Sequence, residues 1–540
     1  MRGPVPLLPP TSIVYHIVYL TPNAYRPTPN ACHPGVSLNL NPIDLFVIIV
    51  YFAATLGIGF YLSRGQRSAT DYFLGARNLP WWTVMLSIVA AETSALTVIS
   101  VPGIGARGDL TFLQLPIGYL FGRIGVAIWL LPGYFRGEQE TAYARLETRF
   151  GAPTRRMLSL VFLVTRFLAD GVRVFAGAIP LALLTGWSVP VAVVVMGAIT
   201  LVYTWLGGIK AVIWADVVQL AIYVTGGVAA LIVAVRLTGG SAAAWSIAST
   251  AGKLHLLDFH LSLTAPYTLL GGLIGGALLS AASHGTDHLI VQRLLSTRSL
   301  GDARRAIVGS GIVVIAQFLL FLLVGVALWS SHNAPPGVPP DRLFADFVLH
   351  RLPVGLSGLV IAGILAAAMS SHSSAISALA SSFTHDQYAS WTGERDPDTL
   401  LRVGRIVSLV WGVALIIAAV GFNAWSGGTN TPVVVLALSI ASVTYGALLG
   451  AYLLSAAGAW MRGRDVIAGT AIAMAIMLVT VFAARLAAAG YSELAGLGRL
   501  SFPWYVPMGM ILTLIFALIS TRFGRGADSA AVGAARKASS

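Results

Sequence analysis

Charge and cysteine are what this chain has least of. Only 10% of its 540 residues are charged, whereas 56% are hydrophobic, a balance outside the range of soluble globular domains. The single cysteine, Cys32, excludes an intramolecular disulfide and argues against a cysteine-based metal site. Residues 1–40 lack the basic start and apolar core of a cleavable signal peptide. We therefore expect residues 1–42 to be a disordered extracytoplasmic extension or a mis-assigned start.

Long apolar runs take the place of charge. The segments "DLFVIIVYFAATLGIGFYL" and "VVQLAIYVTGGVAALIVAV" each have about 20 residues, which is enough to cross a bilayer as a helix. Hydropathy, helix breakers and charged loops predict an all-α integral membrane protein with about 13 transmembrane helices. The predicted spans are residues 43–63, 80–106, 112–135, 154–186, 188–205, 209–238, 264–292, 302–330, 355–385, 400–421, 431–459, 466–487 and 504–521.

The net charge of +13 follows this topology and does not indicate a nucleic-acid partner. Roughly 22 of the 34 Lys and Arg fall in alternate loops on one side of the predicted spans, as the positive-inside rule expects. Those loops include "QRLLSTRSLGDARRA" and the basic tail at residues 522–540, which we place in the cytoplasm. An odd number of spans then puts the N-terminus outside the inner (plasma) membrane and the C-terminus inside.

The ninth predicted span carries many hydroxyl groups. In "GILAAAMSSHSSAISALASSFTHDQY", Ser370, Ser374, Ser377 and Ser381 share one helix face. Small hydroxyl residues let membrane helices pack closely, and they can bond their own backbone. The hydroxyls of Ser370 and Ser371 can also coordinate a hard cation such as Na⁺. The pattern alone leaves both interpretations open.

The second predicted span is polar in its middle. Its "AETSA" stretch places Glu92 near the bilayer centre, ahead of a Pro-Gly pair. An intramembrane carboxylate indicates function unless it is protonated or paired within the bundle. Transporters break a spanning helix at such places and use the freed backbone carbonyls as ion ligands. In the sixth span, Asp216 is either a cation ligand close to Ser373 and Ser374 or the partner of an internal arginine.

The fourth predicted span holds a ladder of charges. Arg166, Asp170 and Arg173 lie at i, i+4 and i+7, one above another on one helix face. The ladder is either an internal ion network or a place where the Arg173 guanidinium receives an anionic group. In the seventh span, His284 and Asp287 are further pocket candidates. The glycines at 271, 272, 275 and 276 fit a close helix contact or a break in that span.

Six motifs occur in an order that resembles the sodium:solute symporter family, which includes sodium-coupled transporters of sugars, proline, iodide and sialic acid. They are "DYFLGARNLPWW", "AAETSALTVISVPG", "ETAYARLETRFG", "GGIKAVIWADVVQ", "GTDHLIVQRLLS" and "GILAAAMSSHSS" with "FTHDQY". The resemblance covers about residues 43–521. It implies the LeuT-type fold, with inverted five-helix repeats at about residues 80–238 and 264–459, one extra helix before them and two after.

The resemblance also implies sodium sites. The first site uses the backbone carbonyls of Ala90, Thr93 and Ala367 and the hydroxyls of Ser370 and Ser371. Some members of the family carry a second sodium site, which in this chain matches Asp216, Ser373 and Ser374.

The solute pocket is expected beside the break in the second span. Its candidate residues are Glu92, Ser94, Thr97, Arg173, His284 and Asp287. Sugar transporters of the family have an amide-rich pocket, and the absence of Asn or Gln near Glu92 argues against a sugar.

We therefore predict a sodium-coupled symporter and not an enzyme. Its partners are a small polar organic solute, favoured to be charged or zwitterionic, together with Na⁺ and the lipid bilayer, and transport proceeds by alternating access. Proton coupling through Glu92 or Asp216 is the alternative within transport. Ser371, His372 and Asp216 supply the residue types of a nucleophilic triad. Neighbouring residues on a helix point about 100° apart, however, so His372 is badly placed to serve Ser371.

Overall fold

The computed structural model of the chain describes residues 41–538, except residues 65, 138, 427–432 and 457–460. In this part of the chain the regular structure is helical, apart from one parallel bridge between Leu79 and Thr297. The all-α prediction is therefore confirmed. The predicted extension at residues 1–42, with Cys32, lies outside the described residues except for its last two positions.

Helices occur at each predicted span, and the last one extends well beyond its predicted end. They are Pro42–Leu62, Trp81–Glu92, Ala95–Arg107, Gln114–Gly125, Ala152–Thr185, Val189–Leu237, Gly276–Gly285, His288–Leu295, Leu300–Ser330, Leu356–Ser382, Pro397–Ser426, Val433–Leu454, Gly463–Ala488 and Tyr505–Ala538. Shorter α-helices are Ala69–Leu74, Leu131–Tyr134, Ala144–Phe150, Ser241–Thr250, Pro340–Arg351 and Ser390–Thr392. Turns of 3₁₀ or π helix are Gly75–Arg77, Thr111–Leu113, Val126–Leu130, Gly271–Gly275, Phe383–Ala389, Ser492–Ala495, Leu497–Arg499 and Phe502–Trp504.

Within the described ranges, eight helices are long and apolar enough to cross a membrane, and a bent pair raises the number to nine. These helices confirm a multi-pass membrane protein, while the number of 13 spans stays a prediction. The last helix continues to Ala538, so residues 522–538 of the predicted tail extend that helix.

The helix Val189–Leu237 covers two predicted spans, the fifth and the sixth. Its 49 residues correspond to roughly 74 Å of helix, more than twice the thickness of the hydrocarbon core. Gly208 interrupts it with φ 56° and ψ −154°, a conformation that glycine adopts readily because it has no Cβ. This bend divides the helix where the sequence predicted a boundary.

The second predicted span is broken, as its polar middle indicated. Trp81–Glu92 and Ala95–Arg107 are separated by Thr93 and Ser94, which have extended backbones with ψ of 111° and 164°. The two halves are bent by 67°. The Ser94 hydroxyl accepts a hydrogen bond from the Thr97 backbone N–H at 3.4 Å and so caps the second half. We call these two helices the first broken span.

The seventh predicted span is broken too. Gly276–Gly285 ends before Thr286, and Asp287 starts His288–Leu295 by accepting a hydrogen bond from the Leu289 N–H at 2.9 Å. We call these helices the second broken span.

The glycine run lies about ten residues before this break. A Cβ at Gly275 would lie 2.5 Å from the Pro503 carbonyl oxygen, and one at Gly276 would lie 2.7 Å from that of Leu115. Of the two alternatives left open for the glycines, close contact with neighbouring segments is therefore the one observed.

The helix Leu356–Ser382, hereafter the serine helix, lies at the centre of the bundle. Twenty-five of its 27 residues are buried, among them every serine of the stripe. It contacts both halves of the first broken span and the helix His288–Leu295 of the second. Its other large contacts are with Pro42–Leu62, Ala152–Thr185, Val189–Leu237 and Pro397–Ser426. The hydroxyl stripe therefore faces protein and not lipid.

Candidate functional site

The break in the first broken span changes the bonding of the backbone around it. In a continuous helix each carbonyl accepts from the N–H four residues later. The extended conformations of Thr93 and Ser94 move those donors away from the carbonyls of Ala90 to Thr93. Freed carbonyls at a helix break inside the bilayer are oxygen ligands suited to an alkali cation.

The serine helix, which packs against both halves of the first broken span, supplies buried hydroxyl groups. Ser371 donates a hydrogen bond to the Ala367 carbonyl at 3.3 Å, and Ser370 donates one to Asp216 Oδ1 at 2.6 Å. A donating hydroxyl keeps its lone pairs, so both oxygens can still bind a cation. Ala90 and Ala367 belong to the same buried cluster. The residues of the first predicted sodium site thus come from two elements that pack together.

Two of the three residues of the second predicted sodium site, Asp216 and Ser374, accept hydrogen bonds from an arginine. Asp216 Oδ2 accepts from Arg293 Nη2 at 3.0 Å, and both side chains are fully buried. Arg293 also donates to the Ser374 hydroxyl, while Ser373 donates to the Ser370 carbonyl at 3.1 Å. Of the two roles considered for Asp216, the partnership with an internal arginine is the one present. The second sodium site itself stays a prediction.

The sequence predicts Arg293 in a charged loop, whereas the structure places it on a helix. It lies on the helix His288–Leu295 with no exposed surface. It therefore does not belong among the charges that set the topology.

Glu92 has an internal partner as well. Its carboxylate pairs with Arg123, which is fully buried and also donates to the Ser310 hydroxyl at 2.7 Å. His284 Nε2 lies 3.6 Å from Glu92 Oε2, beyond hydrogen-bond distance. Glu92 keeps 18% of its side chain exposed, while its charge is balanced by Arg123.

The charge ladder continues into the second broken span. Arg166 pairs with Asp287 at 2.5 Å and lies 3.5 Å from Asp170. Arg173 pairs with Asp170 at 3.1 Å. Tyr445 donates to Asp287 at 3.1 Å and accepts from Arg166 at 3.3 Å.

Arg173 is the most exposed member of these clusters. Its side chain is 22% exposed, whereas those of Asp170 and Asp287 are 1% and 2% exposed. The three clusters together contain four arginines and four carboxylates. Arg123 pairs with Glu92, and Arg293 pairs with Asp216. In the third cluster, Arg166 and Arg173 pair with Asp170 and Asp287. The positive and negative side chains of these three clusters, in the part of the chain that the structure describes, therefore balance each other.

The polar residues beside the break bond to one another. The hydroxyls of Ser94 and Thr97 are 3.3 Å apart, and both residues are half-buried. Gln317 of Leu300–Ser330 donates to the Thr93 hydroxyl at 2.8 Å and accepts from Tyr223 at 3.2 Å. Gln317 thus fixes the break from a third helix. It also brings an amide next to the residue that follows Glu92, so the expectation that no Asn or Gln lies near Glu92 is wrong.

The arrangement of a nucleophilic triad is not formed. The Ser371 hydroxyl donates to a backbone carbonyl, and neither ring nitrogen of His372 has a hydrogen-bond partner in the described part of the chain. Asp216 bonds to other side chains.

The sequence interpretation missed Arg123, Arg293, Gln317 and Tyr445. An arginine in the middle of an apolar span is itself a signal of function or of pairing, and Arg123 could have been found by that rule. The two polar neutral residues carry no comparable signal.

A further charged cluster lies at the predicted cytoplasmic end of the helix bundle. Asp386 lies in the turn Phe383–Ala389, which follows the serine helix. It accepts hydrogen bonds from Arg155 Nε at 2.7 Å, from the Ser382 hydroxyl at 2.8 Å and from the Thr141 hydroxyl. Arg155 also pairs with Glu147 at 2.6 Å. This cluster ties the loop before Ala152–Thr185 to the central helix.

Comparison with known proteins agrees with this arrangement. The family model described as "Sodium:solute symporter family" matches residues 72–456. A sodium/sialic acid symporter of Aliivibrio fischeri is 28% identical over 389 residues, which cover 70% of this chain and 76% of that protein. The human sodium/iodide cotransporter is 28% identical over 473 residues, covering 85% of this chain and 71% of that protein.

Solved structures give the same result. A Na⁺-coupled sialic acid symporter in a substrate-bound, outward-open state superposes with a TM-score of 0.77 at 25% identity, covering 89% of this chain and 98% of that one. A nucleobase-cation-symport-1 family transporter in a closed conformation has a TM-score of 0.51 at 15% identity, covering 84% of this chain and 94% of that one; this likeness concerns the fold alone. The resemblance predicted from the six motifs is confirmed, and the chain belongs to the sodium:solute symporter family, whose members are transporters and not enzymes.

Proposed function

We propose that this symporter imports a small anionic organic solute together with Na⁺, and that both bind beside the break in the first broken span. The observation that carries the proposal is that the serine helix, with its buried hydroxyls, packs against both halves of this broken span. Freed carbonyls of Ala90 and Thr93, the Ala367 carbonyl, and the hydroxyls of Ser370 and Ser371 would bind Na⁺. Such neutral oxygens hold a cation without adding charge, which lets the ion leave again.

The charge balance of the core supports an anionic solute. Four arginines are already matched by four carboxylates, so a bound Na⁺ adds one uncompensated positive charge in a medium of low dielectric constant. A solute with one negative charge restores neutrality. Arg173 is the arginine most open to a ligand, and its planar guanidinium suits a carboxylate. Glu92, Ser94, Thr97, His284 and Asp287 would complete the pocket or orient it.

Several relatives transport anions, as their names state. They include sialic acid symporters of Aliivibrio fischeri and Proteus mirabilis and the human sodium-coupled monocarboxylate transporter 1. Others carry neutral solutes, such as the sodium/glucose cotransporter of Vibrio parahaemolyticus. The solute therefore has to be argued from the pocket, and there the charge balance favours an anion.

Alternating access would use the two inverted repeats, at about residues 80–238 and 264–459, with one broken span in each. The basic loops favour an N-terminus outside an inner (plasma) membrane and a cytoplasmic C-terminus. Proton coupling is the less favoured route, because both carboxylates that it would use, Glu92 and Asp216, are ion-paired with buried arginines.

The proposal is tested by uptake into proteoliposomes under an inward Na⁺ gradient. Pools of radiolabelled monocarboxylates, acidic sugars, zwitterionic amino acids and neutral sugars are supplied in turn, and K⁺ replaces Na⁺ in the control. We expect Na⁺-dependent uptake from a pool of anions. Uptake from the neutral sugar pool alone would contradict the anionic solute, and uptake that follows a pH gradient and ignores Na⁺ would contradict sodium coupling.

A further inference from the structure

A groove lies between the helices Gly463–Ala488 and Tyr505–Ala538, the two that are predicted to follow the inverted repeats. Its volume is about 390 Å³, which is within the range of small-molecule sites. Its apolar walls are formed by Ala468, Ile472, Phe516 and Ile519. Because Ile472 is 42% exposed and Ile519 is 41% exposed, the groove opens to the outside of the helix bundle.

The bilayer is what covers this opening. The helix Gly463–Ala488 and the segment Phe502–Arg522 are each long and apolar enough to cross a membrane. A lipid acyl chain is compatible with apolar walls, whereas a polar solute would lose its hydrogen bonds to water there. The groove is therefore shaped for a lipid, and the nature of its polar end decides which lipid.

The polar end lies where the helix Gly463–Ala488 begins, at the predicted cytoplasmic side. Asp465 accepts a hydrogen bond from the Ser520 hydroxyl at 2.8 Å and another from the Arg462 backbone N–H at 3.2 Å. This carboxylate is only 1% exposed, so it is turned inward and bonded to the protein. The bond between Asp465 and Ser520 also joins the two helices at this end of the groove.

The exposed charges at the same end are positive. Arg464 lines the groove and is exposed. Arg462 and Arg522, which are also exposed, lie within two residues of Arg464 and of Ser520. Arginine matches the geometry of a phosphate group, and basic pockets between membrane helices on the cytoplasmic side bind anionic lipid headgroups. A phosphatidylcholine headgroup fits less well, because its second charge is positive and would meet the same arginines.

We propose that this groove binds one anionic phospholipid of the inner leaflet. The phosphate contacts Arg464, and one acyl chain lies along the apolar walls between the two helices. The site is separate from the solute pocket and does not depend on which solute or ion the protein carries.

The test is a lipid titration of purified, delipidated protein in detergent, with the bound lipids counted by native mass spectrometry. The probes are dioleoylphosphatidylglycerol, dioleoylphosphatidylcholine and glycerol 3-phosphate, which carries the phosphate without acyl chains. The variants are Arg464→Gln and Ala468→Leu, of which the second narrows the groove and leaves the charge unchanged. Arg485→Gln is the matched control, because Arg485 is an exposed arginine near the other end of the same helix.

We expect the wild type and Arg485→Gln to hold one phosphatidylglycerol more tightly than any further lipid. Arg464→Gln should raise the half-saturating concentration of this lipid about tenfold, because a charged hydrogen bond is lost. Ala468→Leu should raise it about fivefold or more, because the added side chain overpacks the groove. Phosphatidylcholine should bind the wild type about fivefold more weakly or worse.

Equal affinity of the wild type for the two lipids would overturn the anionic headgroup. An Arg485→Gln variant that loses as much affinity as Arg464→Gln, or an Arg464→Gln variant that loses none, would overturn the location of the site. Displacement of phosphatidylglycerol by an equal concentration of glycerol 3-phosphate would show a site for a soluble phosphate and not for a lipid. Melting temperatures without lipid show which variants are folded, and Arg464→Gln, at an exposed position, decides the question if Ala468→Leu is unstable.

Discussion

Replacing Ser371 by alanine removes one hydroxyl of the proposed first sodium site with little other change. In the structure this hydroxyl makes one long bond, 3.3 Å to the Ala367 carbonyl one turn earlier. Polar contacts between membrane helices contribute about 0.6 kcal/mol on average, so losing such a weak local bond should cost no more than that. We therefore expect Ser371→Ala to fold and to melt close to the wild-type temperature.

The effect on sodium should be much larger. A polar contact with a charged partner contributes roughly 1.5–3 kcal/mol, and each 1.4 kcal/mol changes an affinity about tenfold. Losing one of five oxygen ligands should raise the sodium concentration for half-saturation about 10- to 150-fold. The assay is a ²²Na⁺ saturation curve on purified protein.

Ser408→Ala is the matched control. Ser408 is also buried and also bonds its own backbone, donating to the Gly404 carbonyl at 2.8 Å, but it lies on Pro397–Ser426 and not on the serine helix. Its variant should keep the wild-type sodium curve. If Ser371→Ala shows the same half-saturation as Ser408→Ala and the wild type, the assignment of the first sodium site is wrong.

Three further substitutions test the charged clusters. Glu92→Gln leaves Arg123 buried without its counter-charge, which should lower the free energy of unfolding by about 3–5 kcal/mol and lower the melting temperature in detergent. Glu92→Gln combined with Arg123→Met should recover most of the lost stability. Equal melting temperatures of the single variant and the wild type would contradict the pairing. Arg173→Gln should raise the half-saturating concentration of an anionic solute about tenfold or more, because a charged hydrogen bond is lost. The affinity for sodium without solute should change less than about twofold. An unchanged half-saturating concentration of the solute would show that Arg173 does not belong to the pocket. Asp386→Asn weakens the link to Arg155 and should speed amide hydrogen exchange in the segment 139–150, while the segment 239–263 stays as in the wild type. Equal exchange of the segment 139–150 in variant and wild type would show that this cluster does not hold it.

Local patterns were sufficient to predict much of this protein. Apolar runs that are long enough to cross a bilayer as helices predicted the membrane-spanning helices. The polar "AETSA" stretch predicted the break at Thr93 and Ser94. The sequence period alone put four serines of the stripe on one face. In each case residues close in the chain determine the structure, so a single sequence carries the information.

The rest depended on pairings between distant residues. Nothing near Asp216 in the chain marks Arg293 as its partner, because the two residues lie on different helices and meet only when the bundle forms. The second break was harder to locate for a different reason. A run of glycines attracts attention as a flexible point, but here it allows backbone contact with Leu115 and Pro503. The capping signal of Asp287, just before a short apolar helix, marked the break instead.

Symport of Na⁺ with an anionic solute is tested most directly by asking whether a gradient of the solute drives the movement of Na⁺. Proteoliposomes are prepared with equal ²²Na⁺ activity and equal pH on both sides, and an inward gradient of the anionic pool that supports uptake is then applied. If the two fluxes are coupled, the solute gradient must drive net accumulation of ²²Na⁺ inside the proteoliposomes, although no sodium gradient was applied. Ser371→Ala must reduce this accumulation. Solute entry that leaves ²²Na⁺ at equilibrium would contradict the account.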